Sequence, residues 1–259
     1  MSGDNFADLA DFRFNAKTSM ADPSEEISNS RIFFCESDLL HEFLRFTPLV
    51  KKDSILIVGN GDQDHFDSRQ FPKIFSTILL QNSFISDNKR IFTLPIGLEN
   101  LKIGVNGIPS RFHSNKRNDV AKNTLLIGPF GDTNSERYLL GDITDQPGIN
   151  LEKRMSRVPP HKYPRLLSSA TWIACPRGNG TDTHRVWESL YVGSKPIVID
   201  NPWSRSLLDF GYPLLLTTDW STNCVYNSIL NDVNISFDPK QLPILWMDFW
   251  KNWLDKKLS

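Results

Sequence analysis

Cysteine is scarce in this chain: Cys35, Cys175 and Cys224 are the only three in 259 residues, and they lie far apart. An odd, scattered set excludes a disulfide framework and a cysteine-based zinc site, and it predicts a reducing compartment. Charge of either sign is not in excess, since 29 Lys and Arg face 30 Asp and Glu. That balance removes the basic footprint of a general nucleic-acid binder, while leaving room for a local basic site for a small anion. Long hydrophobic runs are also missing. Stretches such as "SILIV" and "PLLL" fall far short of the roughly 20 apolar residues that span a bilayer. The opening "MSGDNFADLADFRFNAK" has no basic n-region followed by an apolar core, so it does not read as a signal peptide. Together these absences predict a cytoplasmic protein without a transmembrane segment.

What is present is ordinary in bulk, with 39% hydrophobic and 23% charged residues. The length suits one large domain or two smaller ones. Residues 1–30 are polar and rich in Ser and Asp, predicting a loosely ordered segment. From there short apolar runs alternate with helical patterns. Strands are expected at 31–37, 54–62 and 90–97, with helices at 38–50 and 71–84. Residues 105–123, polar and basic without an apolar period, read as a linker. Beyond them strands are expected at 124–131, 171–176, 195–200 and 212–218. Helices are expected near 133–143 and at 161–170, 182–192 and 242–256. Short apolar strands alternating with helices predict an α/β protein with parallel sheets. Two such runs suggest two Rossmann-like lobes facing a central cleft. The domains expected are 31–118 on the acceptor side and 119–259 for the nucleotide-sugar, with the last helix crossing back to the first.

One segment concentrates polar side chains between two apolar strands: "ACPRGNGTDTHRVWESLYVGSKPIVID", residues 174–200. Cys175 and Pro176 end a strand, "RGNG" (Arg177, Gly178, Asn179, Gly180) forms a loop, and Asp182 or Thr183 can cap the helix that follows. Strand, glycine loop and helix N-terminus make a phosphate-binding arrangement, in which free N–H groups and the helix dipole favour negative charge. His184 and Arg185 fall in the first turn, where an arginine fork can pair with phosphate. Glu188 is four residues on from His184 and three from Arg185, so the three share a face. From there a carboxylate can accept from two adjacent ribose hydroxyls. The plainer alternative is a surface Arg185–Glu188 ion pair with Gly193 ending the helix.

"CPRGNGTDTHRVWESLYVGSKPIVI" resembles the nucleotide-sugar motif of the exostosin-like glycosyltransferases, and "TLPIGLEN" and "GPFGDTNSER" resemble weaker stretches of bacterial and viral relatives. The resemblance implies a GT-B fold, a donor nucleotide bound mainly by the C-terminal half, and a role in polysaccharide biosynthesis. It assigns Gly178, Asn179, Gly180 and Arg185 to the diphosphate and Glu188 to the ribose. The partners implied are a nucleotide-sugar, as donor substrate rather than cofactor, and a saccharide or glycan acceptor.

The turn "IVGNGDQDHFD" leaves three readings open. Asp62, Asp64 or His65 could be the base that deprotonates an acceptor hydroxyl. Asp62 and Asp64 could instead form a D-x-D metal motif, as in GT-A transferases. The third reading is an acidic turn without chemistry. It fails as a dinucleotide fingerprint, because Asp64 stands where a third glycine is needed. In the second half, Thr133, Asn134 and Arg137 could line the cleft, or Asn134 and Ser135 could simply cap a helix. Near the end Trp246, Trp250 and Trp253 recur at helical spacing. They form either a buried stripe or, with nearby lysines, a membrane-surface contact. The expectation is an inverting, metal-independent glycosyltransferase with Asp62 or Asp64 as base. Its rivals are a non-catalytic nucleotide- or carbohydrate-binding module and a metal-dependent GT-A enzyme.

Overall fold

The computed structural model describes the whole chain except residues 21, 88, 114–122, 155 and 233–235 and the side chains of 20, 105 and 113. The chain divides into two units, Met1–Ile96 with Trp246–Ser259, and Gly97–Leu245. The division therefore falls earlier than the 118/119 boundary read from the sequence. Part of the expected linker, 114–122, lies outside the described residues. The rest of it carries a 3₁₀ turn and a short helix at Pro109–His113.

The first unit is built on β1 (Phe12–Phe14), β2 (Ile32–Glu36), β3 (Ser54–Gly59), β4 (Phe75–Gln81) and β5 (Ile91–Leu94), all parallel and paired in sequence order. Phe33, Leu56, Val58 and Leu80 pack one face against Phe43 and Phe71. Phe34, Ile55, Ile57 and Leu79, pointing the other way, are buried too. A parallel sheet covered on both faces shows a continuous apolar run instead of alternation. That corrects the helix expected at 71–84: Phe75, Ile78 and Leu79 match helical spacing, yet the run is β4. For a short buried segment periodicity does not discriminate. The helix expected at 38–50 shrinks to Leu40–Phe43 and continues as a 3₁₀ stretch, Leu44–Leu49, containing Pro48, whose nitrogen has no proton to donate.

Residues 1–30 are not loose. They contribute β1 and two short helices, Gly3–Ala7 and Ser24–Asn29, and bury Phe6, Phe12, Phe14 and Ile27. The C-terminal helix Met247–Leu258 belongs to this unit. Its Trp250, fully buried, meets Phe6 edge-on at 5.3 Å, and Trp253 meets Phe92 of β5 at 4.9 Å. Packing thus takes the Trp250 face that a membrane surface would have to take. No helix among the described residues is long and apolar enough to cross a bilayer.

The second unit holds β6 (Thr124–Ile127), β7 (Asn150–Lys153), β8 (Trp172–Ala174), β9 (Lys195–Ile199) and β10 (Leu215–Thr217). All are parallel, in the order β10-β9-β8-β6-β7. The chain leaves β6 to one side for β7, then returns to the other side for β8. That reversal is the topological switch point of a doubly wound sheet. Helices α1 (Glu136–Leu139), α2 (Tyr163–Ser168), α3 (His184–Val192) and α4 (Pro202–Asp209) connect the strands, and α5 (Thr222–Leu230) follows β10. Two of these and β7 were not foreseen. β7 is an exposed edge strand without an apolar signature. The signal for α4 was present: Asn201 and Ser204 form a reciprocal cap around Pro202.

Candidate functional site

In open α/β sheets ligands bind outside the carboxyl ends of the strands where the order reverses. In the second unit that place lies between the segments following β6 and β8. A pocket of about 210 Å³ opens there, its walls including Pro129 and Phe130 after β6, Tyr163 of α2, Arg157, and Arg185 of α3. The backbone is shaped for it at Gly128, where φ is 81° and a Cβ would overlap the carbonyl of Arg154. Only glycine meets both conditions there without strain.

Arg185 is the centre of the site. α3 starts at His184 after an extended Thr183 and buries Val186, Trp187, Leu190 and Tyr191 against the unit's core. This leaves Arg185 in the first turn with only 13% of its side chain exposed. Its Nη1 donates to Gly128 O at 3.0 Å and its Nη2 to Pro129 O. These bonds use one proton on each terminal nitrogen, of the two that each carries. The guanidinium carbon lies 5.1 Å from the centre of the Phe130 ring and 5.3 Å from that of Tyr163, within cation–π range. Glu188 Oε2 stands 3.9 Å from Nε and accepts from the Tyr163 hydroxyl at 2.6 Å. Burial works against the Arg185 charge, but Tyr163, Glu188 and Cys175 outweigh it and hold the guanidinium above its ordinary value. Burial pushes the Glu188 carboxyl up, against the pull of Arg185, Tyr163 and His184. The same burial pushes the Tyr163 phenol well up.

A second cation joins it. Arg137 of α1 lies 5.7 Å from the same Phe130 ring, and donates to Arg177 O at 3.0 Å and Gly131 O at 2.6 Å. Burial and the charge of Arg185 lower its pKa, with Asp132 opposing. Gly178 makes room for it, since a Cβ there would come within 3.0 Å of Arg137 Nη2. The residues after β8 are arranged as a braced loop. Gly178 N donates to Gly180 O at 3.1 Å, Arg177 Nη2 to Asn179 O at 3.1 Å, and Asn134 Nδ2 to Gly178 O at 3.2 Å. Asn134 also accepts from Glu136 N, so it braces its own turn and ties the two loops together. Asp182 is buried and accepts from the Trp187 indole at 2.7 Å, which gives it a packing role. His184 Nδ1 meets Gly97 O at 2.8 Å. Thr183 leaves a buried hydroxyl without a hydrogen-bond partner at the N-terminus of α3.

Asp62 and Asp64 lie in the first unit, after β3. Asp62 is exposed, and Asp64 is half-buried with His65 Nε2 at 3.3 Å from its carboxylate. The glycines before them have packing reasons. A Cβ on Gly61 would overlap Ser37 Oγ, while Gly61 O accepts from Gln81 Nε2 at 3.2 Å and Asn82 Nδ2 at 3.1 Å. Among the described residues no group of three or more His, Cys, Asp or Glu could hold a metal ion.

The structure thus brings Arg185 and Glu188 together with three residues that were not foreseen as site residues, Phe130, Tyr163 and Arg157. Arg137 was foreseen only as a weak lining candidate. The "HKYPR" helix start, with an aromatic next to a helix-opening proline, was the available signal for Tyr163. No family model matches the chain, and no curated protein matches it.

Proposed function

We propose that the chain is a nucleotide-sugar-dependent glycosyltransferase of GT-B architecture, exostosin-like, transferring a sugar to a hydroxyl of a saccharide acceptor. The observation that carries this reading is the pair Arg185 and Arg137 over one Phe130 ring, at the β6/β8 switch point and beside the N-terminus of α3. The Arg185 charge acts against that of Arg137, and an anion bound beside both relieves the repulsion. The pocket is smaller than the about 300–1,000 Å³ that encloses a drug-sized ligand. It is sized for a diphosphate or one sugar ring, with the nucleoside outside it. Arg185, Arg137 and the helix dipole would stabilise charge growing on the leaving diphosphate without a divalent ion. The base on this reading is Asp62 or Asp64, taking the acceptor proton in an inverting displacement.

A binding module without catalysis is the second reading. It is favoured by the packing account of the Gly59–Gly61 turn, whose glycines are explained by Ser37 and Gln81 without a ligand. A thermal-shift panel of UDP, GDP, ADP and CDP, with and without EDTA, tests the shared part. A nucleotide at 100 times its Kd adds about 2.7 kcal/mol of stability. Stabilisation by a diphosphate that survives chelation supports the site. No shift with any of them removes it, and loss on chelation points to the metal-dependent alternative. Sugar release from a matching donor then separates enzyme from module.

A further inference from the structure

Three features outside this pocket have structural accounts. The buried Lys195–Asp232 pair, 2.5 Å apart, also takes the Trp172 indole. Cys175 is wholly buried, with its thiol pushed up to about 12 by burial. The hollow beside β10 mixes Leu208, Leu214 and Leu216 with Thr218, Asn227 and Ser228, whose hydroxyl donates to Leu216 O, and it gathers no charged side chain. Tyr163 is different, because it meets both the Arg185 guanidinium and the Glu188 carboxylate.

We propose that Tyr163 is a positioning residue whose hydroxyl, through Glu188, fixes the guanidinium of Arg185 in the pocket. The inference rests on the anion-binding reading for its purpose but not for its geometry. Arg185 is long and carries several rotatable bonds, so presenting its remaining protons to one point costs entropy unless the protein holds it. Two backbone carbonyls hold the outer edge and the rings of Phe130 and Tyr163 lie close to the guanidinium. The inner edge faces Glu188, and Nε has no hydrogen-bond partner of its own. Glu188 can restrain that edge only while its own rotamer is fixed and its charge is present. The buried Tyr163 hydroxyl, 2.6 Å from Oε2, supplies both, since donation to a carboxylate favours its ionised form. The groups facing Glu188 are Arg185 and His184 on its own helix, Tyr163 of α2, Glu99 before the second sheet, and Cys175 after β8. Tyr163 hydrogen-bonds to it as a neutral donor. Glu188 on this account faces the arginine, where the sequence alone suggested a ribose.

The test uses Tyr163→Phe, which keeps the ring and deletes the hydroxyl. In the full-length protein, NMR follows hydrogen exchange of the Arg185 Nε–H, identified by its loss in Arg185→Lys. The expected result is a drop in protection of about tenfold or more. On acidification the loss should begin at a higher pH than in wild type, because Glu188 without its donor takes a proton earlier. In parallel, Kd for inorganic pyrophosphate and for UDP should rise about fivefold at pH 7. Glu188→Gln keeps an acceptor for the hydroxyl and cannot titrate, so its protection should not vary with pH beyond the intrinsic exchange rate. Protection within about twofold of wild type in Tyr163→Phe, with the same pH profile, overturns the proposal. So does a pH-dependent loss that persists in Glu188→Gln, which also decides the matter if Tyr163→Phe does not fold. If wild type binds neither pyrophosphate nor UDP, the glycosyltransferase reading fails while the exchange data still decide the positioning role.

Discussion

The two sheets have the same number of strands and the same parallel sense, yet only one contains a reversal. In the first unit each strand is laid beside the previous one, from β1 to β5; in the second the chain steps outward to β7 and then back past β6 to β8. A sequential sheet has no switch-point crevice, because neighbouring connections leave on the same side. The difference separates two glycine-rich turns that look alike in sequence. "GNGD" after β3 is filled by its own unit, with Ser37, Gln81 and Asn82 packed into it. "RGNG" after β8 instead takes side chains from the segment after β6, with Arg137 donating to Arg177 O and Asn134 to Gly178 O.

The largest expected effect tests whether the first turn has chemistry in spite of its packing. Asp62→Asn and Asp64→Asn should leave donor binding intact, and one of them should cut turnover by roughly 10²–10⁴. Turnover within a few-fold of wild type in both would make the turn structural only, and the comparison between the units would then be complete. The next effect belongs to the second unit. Arg185→Ala should weaken UDP by about 1.5–3 kcal/mol, the range for charge-assisted hydrogen bonds, and uridine hardly at all. Equal losses for both ligands, read by calorimetry, would mean that the pocket has collapsed rather than lost a contact. Collapse is a real hazard, because the substitution strands the buried Glu188 carboxylate beside Tyr163.

These differences were partly legible in the chain itself. Alternation of short apolar runs with helical patterns was enough for two parallel sheets, and strands β2, β3, β5, β6, β8, β9 and β10 lie where it put them. β4 was misread because Thr77, Ile78, Leu79 and Leu80 are all buried, and a strand covered on both faces shows no period of two. β1 and β7 are edge strands: β1 is set in the polar segment 1–30, and β7, Asn150–Lys153, carries one apolar residue, so neither offers an apolar run. The site divides similarly. Arg185 and Glu188 share a face of one helix, so local spacing brought them together. Phe130, Arg137 and Tyr163 reach them from segments separated by the sheet's return path, and no local signal encodes that meeting. Strand order itself, which decides where the crevice lies, is a property of pairing and not of any one segment.

A smaller effect opposes the two turns directly through stability. Gly61→Ala places a methyl into Ser37 Oγ and within 3.2 Å of Ser37 Cβ. Overpacking of that kind costs about 1–3 kcal/mol, so urea unfolding should show the loss while UDP affinity per folded molecule stays unchanged. An altered affinity at full occupancy of the folded state would connect the first turn to the ligand, contrary to its packing role.

The smallest expected effect comes from the matching glycine of the second unit. At Gly178 a Cβ would stand 3.0 Å from Arg137 Nη2 and 3.6 Å from Thr133 Oγ1. The nearest atom is the end of a flexible side chain, not backbone, so Arg137 can yield, and Gly178→Ala should cost less than about 0.5 kcal/mol of stability. What moves is a guanidinium placed beside the anion site. Its bonds to Arg177 O and Gly131 O hold it there, and displacement should raise the pyrophosphate Kd by roughly two- to fivefold. The two alanine variants thus exchange roles, one losing stability without affinity and the other affinity without stability. Were Gly178→Ala to unfold early and bind normally, the second turn would be a packing device like the first. The anion site would then have to be sought at Arg185 and Arg157 alone.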